Sequence, residues 1–192
     1  MAYLLVDGEN FKGKVEEICK ESLKIPCPKW HTFNFPSLFL SALSTYKIDK
    51  VTFYFAKINE HEDTLKKSRR LIQEQRSLKT ALESYGYKVE LAGNVRGHKD
   101  SQGKLVFKEK GVDVRIAVDM LCLSFDKITE EIILCSSDSD LQPAIRESRR
   151  RQISITYLGF EANPNKGISY TTNKTILFRD AEIQKSIPLT LL

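Results

Sequence analysis

Apolar positions in this chain follow two patterns. Nearly continuous apolar runs occur at Leu4-Leu5-Val6, Val51-Thr52-Phe53-Tyr54-Phe55-Ala56 and Ile132-Ile133-Leu134-Cys135. Strands buried on both faces of a parallel sheet read this way, so these three runs predict the middle of a sheet. Tyr87-Lys88-Val89-Glu90-Leu91 and Ile153-Ser154-Ile155-Thr156-Tyr157 alternate instead. They predict strands nearer the edges, with Thr175-Ile176-Leu177-Phe178 following. Gly103 to Lys108 reads as one strand of a small hairpin.

Between the strands lie segments with helical spacing. One runs from Ser37 to about Tyr46 after Pro36, and another from Asp63 to Tyr85 before Gly86, a C-terminal stop signal. Val112 to Leu123 and Leu141 to about Arg150 supply two more. Strands alternating with helices predict βαβ units, hence a three-layer α/β domain with a mostly parallel sheet flanked by helices. Two stretches fall outside the pattern. Residues 25–34, with Pro26, Pro28 and Trp30, read as an irregular insertion, and residues 161–174 as a polar loop. With no repeat or linker to divide it, residues 1–192 read as a single domain.

Composition narrows the class. Of 192 residues, 41% are hydrophobic and 29% charged, the balance of an ordinary globular protein. Chains of this length bury roughly 70% of their unfolded surface, so no disulfide or structural metal is needed to hold a core. No run of about 18 apolar residues predicts a membrane span, and the start lacks a basic n-region and cleavage site. The expectation is a cytoplasmic protein without a membrane partner. Cys19, Cys27, Cys122 and Cys135 lack the close spacing of zinc or dithiol motifs. Cys122 and Cys135 lie in apolar runs, where free cysteine acts as a small buried hydrophobe.

The net charge is +5. That surplus is small, and its distribution says more. Arg96, Lys99, Lys104 and Lys108 crowd one segment and are candidate nucleic-acid contacts. Lys66, Lys67, Arg69, Arg70, Arg76 and Lys79 share one helix, and Arg146, Arg149, Arg150 and Arg151 another segment. Each group alone also fits a solvated surface.

The candidate chemistry is acidic. Ligands of open α/β sheets sit beyond the carboxyl ends of the strands, and here two central strands run directly into acids. The first ends in Asp7-Gly8-Glu9-Asn10, the later one in Ser136-Ser137-Asp138-Ser139-Asp140. Asp113 opens a helix on the side carrying Ile116, Ala117 and Met120, so it is expected to face inward. Gathered carboxylates repel unless a cation or protons offset them, and oxygen-only ligands suit Mg²⁺ or Mn²⁺ over zinc.

Each acid has a plainer role too. Asp138 or Asp140 could cap the helix near Leu141, and Asp113 its own helix. Asp7 is harder to dismiss, because an acid ending a buried strand does not obviously begin a helix. Asp119 lies about 120° around the helix from Asp113 and four residues after Arg115, with which it can pair. Asn10 could add an oxygen ligand or position a phosphate, while Gly8 allows a tight turn. Ser136 could orient a carboxylate, and Lys110 could reach a phosphate.

Three segments in this order, Val6-Asp7-Gly8-Glu9-Asn10, Lys110-Gly111-Val112-Asp113-Val114 with Ala117-Val118-Asp119, and Ser136-Ser137-Asp138-Ser139-Asp140-Leu141, give the chain a resemblance to the NYN group of the PIN-like nuclease superfamily. The resemblance runs to about Gly159. It implies a Rossmann-like parallel sheet, an acidic Mg²⁺ or Mn²⁺ site and, in active members, cleavage of RNA phosphodiesters. Carried over by motif, the catalytic acids are Asp7, Asp113, Asp138 and Asp140, of which Asp7, Asp113 and Asp138 hold metal. Asn10, Lys110, Ser136 and Asp119 support them. Ser137 stands where the family commonly has glycine, and the insertion around Trp30 lengthens the first connection.

The function expected is therefore metal-dependent hydrolysis of nucleic acid, RNA ahead of DNA, with single-stranded or structured RNA as partner. The alternative is a non-catalytic RNA-binding or regulatory module that retains the fold and acids. An aspartyl-phosphate enzyme fits less well, since Glu9 stands where its second Asp belongs. The turn after the first strand also lacks the glycine-rich fingerprint of nucleotide-cofactor enzymes.

Overall fold

The computed structural model describes residues 1–60, 64–99 and 105–188. Strand β1 (Ala2–Asp7) leads into helix α1 (Gly8–Ile18), followed by a π-helical turn (Cys19–Leu23), a 3-10 turn (Trp30–Thr32) and α2 (Phe35–Ala42). The chain continues through β2 (Ile48–Lys57), α3 (Leu65–Ser84), β3 (Lys88–Lys99), β4 (Leu105–Lys110) and α4 (Val112–Phe125). It ends with β5 (Glu131–Cys135), a 3-10 turn (Ser139–Leu141), α5 (Gln142–Arg150), β6 (Ser154–Phe160), α6 (Lys166–Thr171), β7 (Lys174–Phe178) and α7 (Asp180–Ser186).

The strands form one seven-stranded sheet in the order β4-β3-β2-β1-β5-β6-β7. Every neighbouring pair is parallel except β3 and β4. The continuous apolar runs do occupy the middle, where Leu4 aligns with Val51 on one side and Ile133 on the other. Alternation along these strands feeds two cores. Leu4, Val6, Phe53, Phe55, Ile133 and Cys135 join one cluster with residues of α1, α2, α3 and α7. Leu5, Tyr54, Ala56, Ile132 and Leu134 join the other with α4, α5 and α6. Sheet between two helical layers is the expected three-layer architecture.

Several elements differ from the pattern reading. Residues 8–18 form α1, whose Phe11, Val15 and Ile18 are buried. Its first residue favours glycine, because a Cβ on Gly8 would lie 2.1 Å from the Phe55 ring and force that buried ring to move. The segment 161–174 contains α6, capped by the Asn165 side chain, which accepts from Ile168 N–H at 3.0 Å. Asp63 lies outside the described residues, and the helix expected there begins at Leu65. Cys122, expected to be buried, is exposed, whereas Cys135 is buried. All four cysteines are free thiols.

Residues 25–34 are anchored by aromatic packing. Phe33 is fully buried, its ring 4.8 Å from Phe35 and 6.1 Å from Phe11. Trp30 packs 5.7 Å from Phe33 and donates from Nε1 to Glu16 at 3.2 Å. Among the described residues, no helix is long and apolar enough to cross a membrane.

Candidate metal and nucleic-acid site

The carboxyl edge of the parallel strands carries the candidate site. Asp7, the last residue of β1, is also the N-cap of α1, its side chain accepting from Asn10 N–H at 3.1 Å. The strand-ending acid thus begins a helix after all, satisfying one of the amide groups that every helix start leaves open. Its other oxygen accepts from Ser136 Oγ at 3.1 Å. Burial pushes the Asp7 carboxyl up to about 6 against the pull of these two hydrogen bonds, and the charges of Asp138 and Glu9 raise it further.

Asp113, Asp138 and Asp140 come together in front of the strand ends. One oxygen from each lies within 4.8 Å of the others. Asp113 and Asp138 are half-buried and Asp140 is exposed. Asp113 sits in the first turn of α4, whose cap residue is Gly111 and makes no side-chain capping bond. Capping therefore does not account for Asp113. Asp138 does cap, accepting from Asp140 N–H at 2.9 Å, and this bond folds the 3-10 turn that brings Asp140 beside it.

The acid loop is held from several directions. Ser136 Oγ accepts from Asp138 N–H at 3.2 Å while donating to Asp7. Asn10 Oδ1 accepts from Ser137 N–H at 3.0 Å, so this oxygen ties α1 to the loop after β5. The sequence did not point to Asn165, yet its Nδ2 donates to the Ser137 carbonyl at 2.8 Å and to Ser139 Oγ at 3.0 Å. Nor did it point to Tyr157, whose hydroxyl lies 3.3 Å from Ser137 Oγ and accepts from Asn165 N–H at 3.2 Å. The signal available in the sequence was Asn163-Pro164-Asn165, a turn-and-cap string in a stretch taken as loop.

The trio expected to hold metal was Asp7, Asp113 and Asp138. In the structure Asp140 completes the group, and Asp7 stands outside it with each oxygen already accepting a hydrogen bond. Asp119 is elsewhere. Its carboxylate pairs with Arg115 Nε at 3.0 Å and accepts from the Tyr54 hydroxyl at 2.9 Å. Burial, with Asp119 beside it, pushes the Tyr54 hydroxyl far up. Lys110 ends β4 with an exposed side chain.

Beyond Lys57, the end of β2, strand β3 pairs only with β4, from Asn94 opposite Lys110 to Lys99 opposite Leu105. This two-stranded ribbon projects at the same edge as the acids and returns directly into α4. Gly93 lets the strands meet there, with φ of 77° and a Cβ position only 2.1 Å from the Lys110 carbonyl oxygen. The backbones at Arg96, Lys99 and Lys108 belong to the ribbon, while Lys104 lies outside the described residues.

Over residues 2–176 the sequence matches the NYN domain family. The chain belongs to that family. NYN domains are nuclease-like and associated with RNA, with clustered acidic residues, and Asp113, Asp138 and Asp140 form an acidic cluster here. The low amplitude and bright protein LabA of Synechococcus elongatus is 30% identical over 110 residues, 56% of this NYN chain and 57% of LabA. The chain thus spans little more than half of that relative's length. A solved structure of a protein of unknown function from Vibrio parahaemolyticus shares the fold with a TM-score of 0.61 at 18% identity, covering 92% of this chain and 91% of the other.

The donor set suits a hard divalent cation. Oxygens around a six-coordinate Mg²⁺ lie ~3 to ~4 Å apart, so separations within 4.8 Å need only small side-chain rotations. All three donors are carboxylate oxygens, which suit a hard divalent cation over metals that seek nitrogen or sulfur.

Proposed function

We propose that this NYN domain hydrolyses RNA phosphodiester bonds with Mg²⁺ or Mn²⁺ held by Asp113, Asp138 and Asp140. The observation that carries the reading is the convergence of these acids, from two distant parts of the chain, within 4.8 Å at the carboxyl edge of the sheet. A bound divalent ion would supply an acidified water and neutralise charge on the scissile phosphate. Asp7 adds negative charge beside Asp138 and, through Ser136, fixes the start of the acid loop. Asn10, Tyr157 and Asn165 hold the rest of that loop, so the ligands are ordered before substrate arrives. Arg96, Lys99, Lys104 and Lys108 are the proposed contacts of the RNA strand, and Lys110, the last residue of β4, a proposed phosphate contact.

The deciding experiment incubates the protein with labelled single- and double-stranded RNA and DNA in Mn²⁺, Mg²⁺ or EDTA. RNA cleavage that requires the metal is expected. Asp113→Asn keeps the shape but removes a charge, so it should lower cleavage at least about 100-fold while RNA affinity in EDTA stays equal or rises. Full cleavage by this variant removes the assigned site. A second reading, an RNA-binding module without turnover, is favoured by Asp7, which stands outside the acid group with each oxygen accepting a hydrogen bond within the protein. RNA binding in EDTA with no cleavage in any metal would establish it.

A further inference from the structure

The insertion that lengthens the first connection builds something. Its 3-10 turn packs on α3, and between them, the start of α1 and the end of β2 lies a cavity of about 450 Å³. That volume falls within the ~300–1,000 Å³ of small-ligand pockets. Trp30, Phe55, Leu71 and Leu78 form its apolar walls, with Glu9 and Glu74 at polar positions. It is close to the acid site, since Glu9 is two residues after Asp7 and the Phe55 ring occupies the space where Gly8 lacks a Cβ.

We propose that this pocket seats one unstacked nucleobase of the RNA strand whose phosphate reaches the acid cluster, a proposal that rests on the reading of those acids as an RNA-processing site. The lining sets Glu9 and Glu74 against Lys12 and Lys29, with His31 beside them, and this balance of charge favours a neutral planar ring over an anion. Lys12 is held by Glu9 at 3.1 Å and stands 5.9 Å from the Trp30 ring centre, so its charge is already matched. Glu74 is matched in the same way by Arg70 at 3.6 Å. Glu9, both of whose oxygens accept from Lys12 Nζ at 3.2 and 3.1 Å, and Glu74 keep lone pairs for the amino groups of adenine, guanine or cytosine, where uracil offers only its ring N3–H. The indole offers a stacking face that is sequence-tolerant, as single-strand binders use. Gln75 is unavailable to the base, because its Nε2 donates to the Ala56 carbonyl at 2.8 Å and holds the end of β2. Past Ile58, which both share, a second and polar cleft carries Arg76, a cation placed for the backbone of the next nucleotide, beside Arg69, which Glu60 already holds at 3.1 Å.

Trp30 is the single tryptophan of the chain, so its emission reports on the pocket directly. The test titrates the whole protein with a fluorescently labelled single-stranded oligoadenylate in EDTA at low salt, following label anisotropy, and with the unlabelled oligonucleotide, following tryptophan emission. Saturable quenching with the anisotropy midpoint is expected, and oligouridylate should bind more weakly. Leu71→Glu places a charge on the opposite wall from α3 and should weaken binding about tenfold or more without altering the circular dichroism spectrum. Binding that leaves Trp30 emission unchanged overturns the proposal, as does a folded Leu71→Glu variant with wild-type affinity, or no binding by either readout. The nuclease reading fails separately, on metal-dependent cleavage, since every measurement here is made without metal.

Discussion

Two groups of carboxylates meet at one edge of this sheet under opposite conditions. Asp7 is 8% exposed, with each oxygen bonded inside the protein, and its pKa is raised mainly by burial. Asp113, Asp138 and Asp140 face one another across a half-open gap. A buried, doubly bonded acid is suited to holding its neighbours in place, whereas open, mutually repelling acids invite a cation. The difference teaches that an acid at a strand end has to be judged by what already occupies its oxygens.

The largest effect expected from this contrast lies in stability against pH. An aspartate titrates near 3.8 without its protein surroundings and Asp7 near 6 in the fold. Below about pH 4 both states are protonated and the group adds nothing. Between these values the folded state keeps a proton that the unfolded chain has lost, so stability falls as pH rises and the full cost is present above about pH 6. Two units correspond to about 3 kcal/mol. Asp7→Asn retains the capping oxygen and removes the ionisation. In EDTA it should therefore be more stable than wild type by up to about 3 kcal/mol at pH 7.5, with the gain vanishing near pH 4. Urea denaturation from pH 4 to 8 measures this. An equal gain at every pH would mean that packing, and not the buried charge, sets the cost.

The same contrast explains what could be read from the sequence. The central strands were legible because Leu4-Leu5-Val6 and Ile132-Ile133-Leu134-Cys135 are apolar on both faces, and both do end at the acid edge. The gathering of Asp113 and Asp138 followed from that topology. Helix α1 was not legible, because Gly8 and Gly13 lower its propensity and Asp7 reads equally as a turn acid. Its period was present in Phe11, Val15, Ile18 and Cys19, all buried. The roles of Asn10 and Asn165 were hidden for another reason. Hydrogen bonds to the Ser137 backbone leave no periodic trace, so only the fold shows which loop these amides hold.

An intermediate effect is expected at Asn10, the bridge between the two groups. Asn10→Ala removes the acceptor for Ser137 N–H in a part-buried position, which should cost about 1–2 kcal/mol. Because the freed loop carries Asp138 and Asp140, cleavage should fall more than thermal stability alone accounts for. Paired melting and cleavage measurements at a temperature where the variant remains folded separate the two. Wild-type activity in a destabilised variant would show that the acids keep their places without this bridge.

The smallest effect belongs to Asp119, which shares its helix with Asp113 and offers the sharpest control. Its carboxylate is bound to Arg115 at 3.0 Å and to the Tyr54 hydroxyl at 2.9 Å, with the side chain 21% exposed and that of Arg115 43% exposed. An ion pair this open to water contributes little, about 0.2–1 kcal/mol, and an asparagine keeps an acceptor for Tyr54. Asp119→Asn should therefore lose less than about 1 kcal/mol of stability and retain cleavage within about threefold of wild type. Measured beside Asp113→Asn, the pair asks whether negative charge matters anywhere along α4 or only where the loop after β5 brings two further acids to meet it. Equal losses of cleavage from both would favour a diffuse field of the helix over a built metal site. A loss confined to Asp113→Asn is what the proposed site predicts, because Asp119 is already paired with Arg115, which Glu90 also approaches at 3.6 Å.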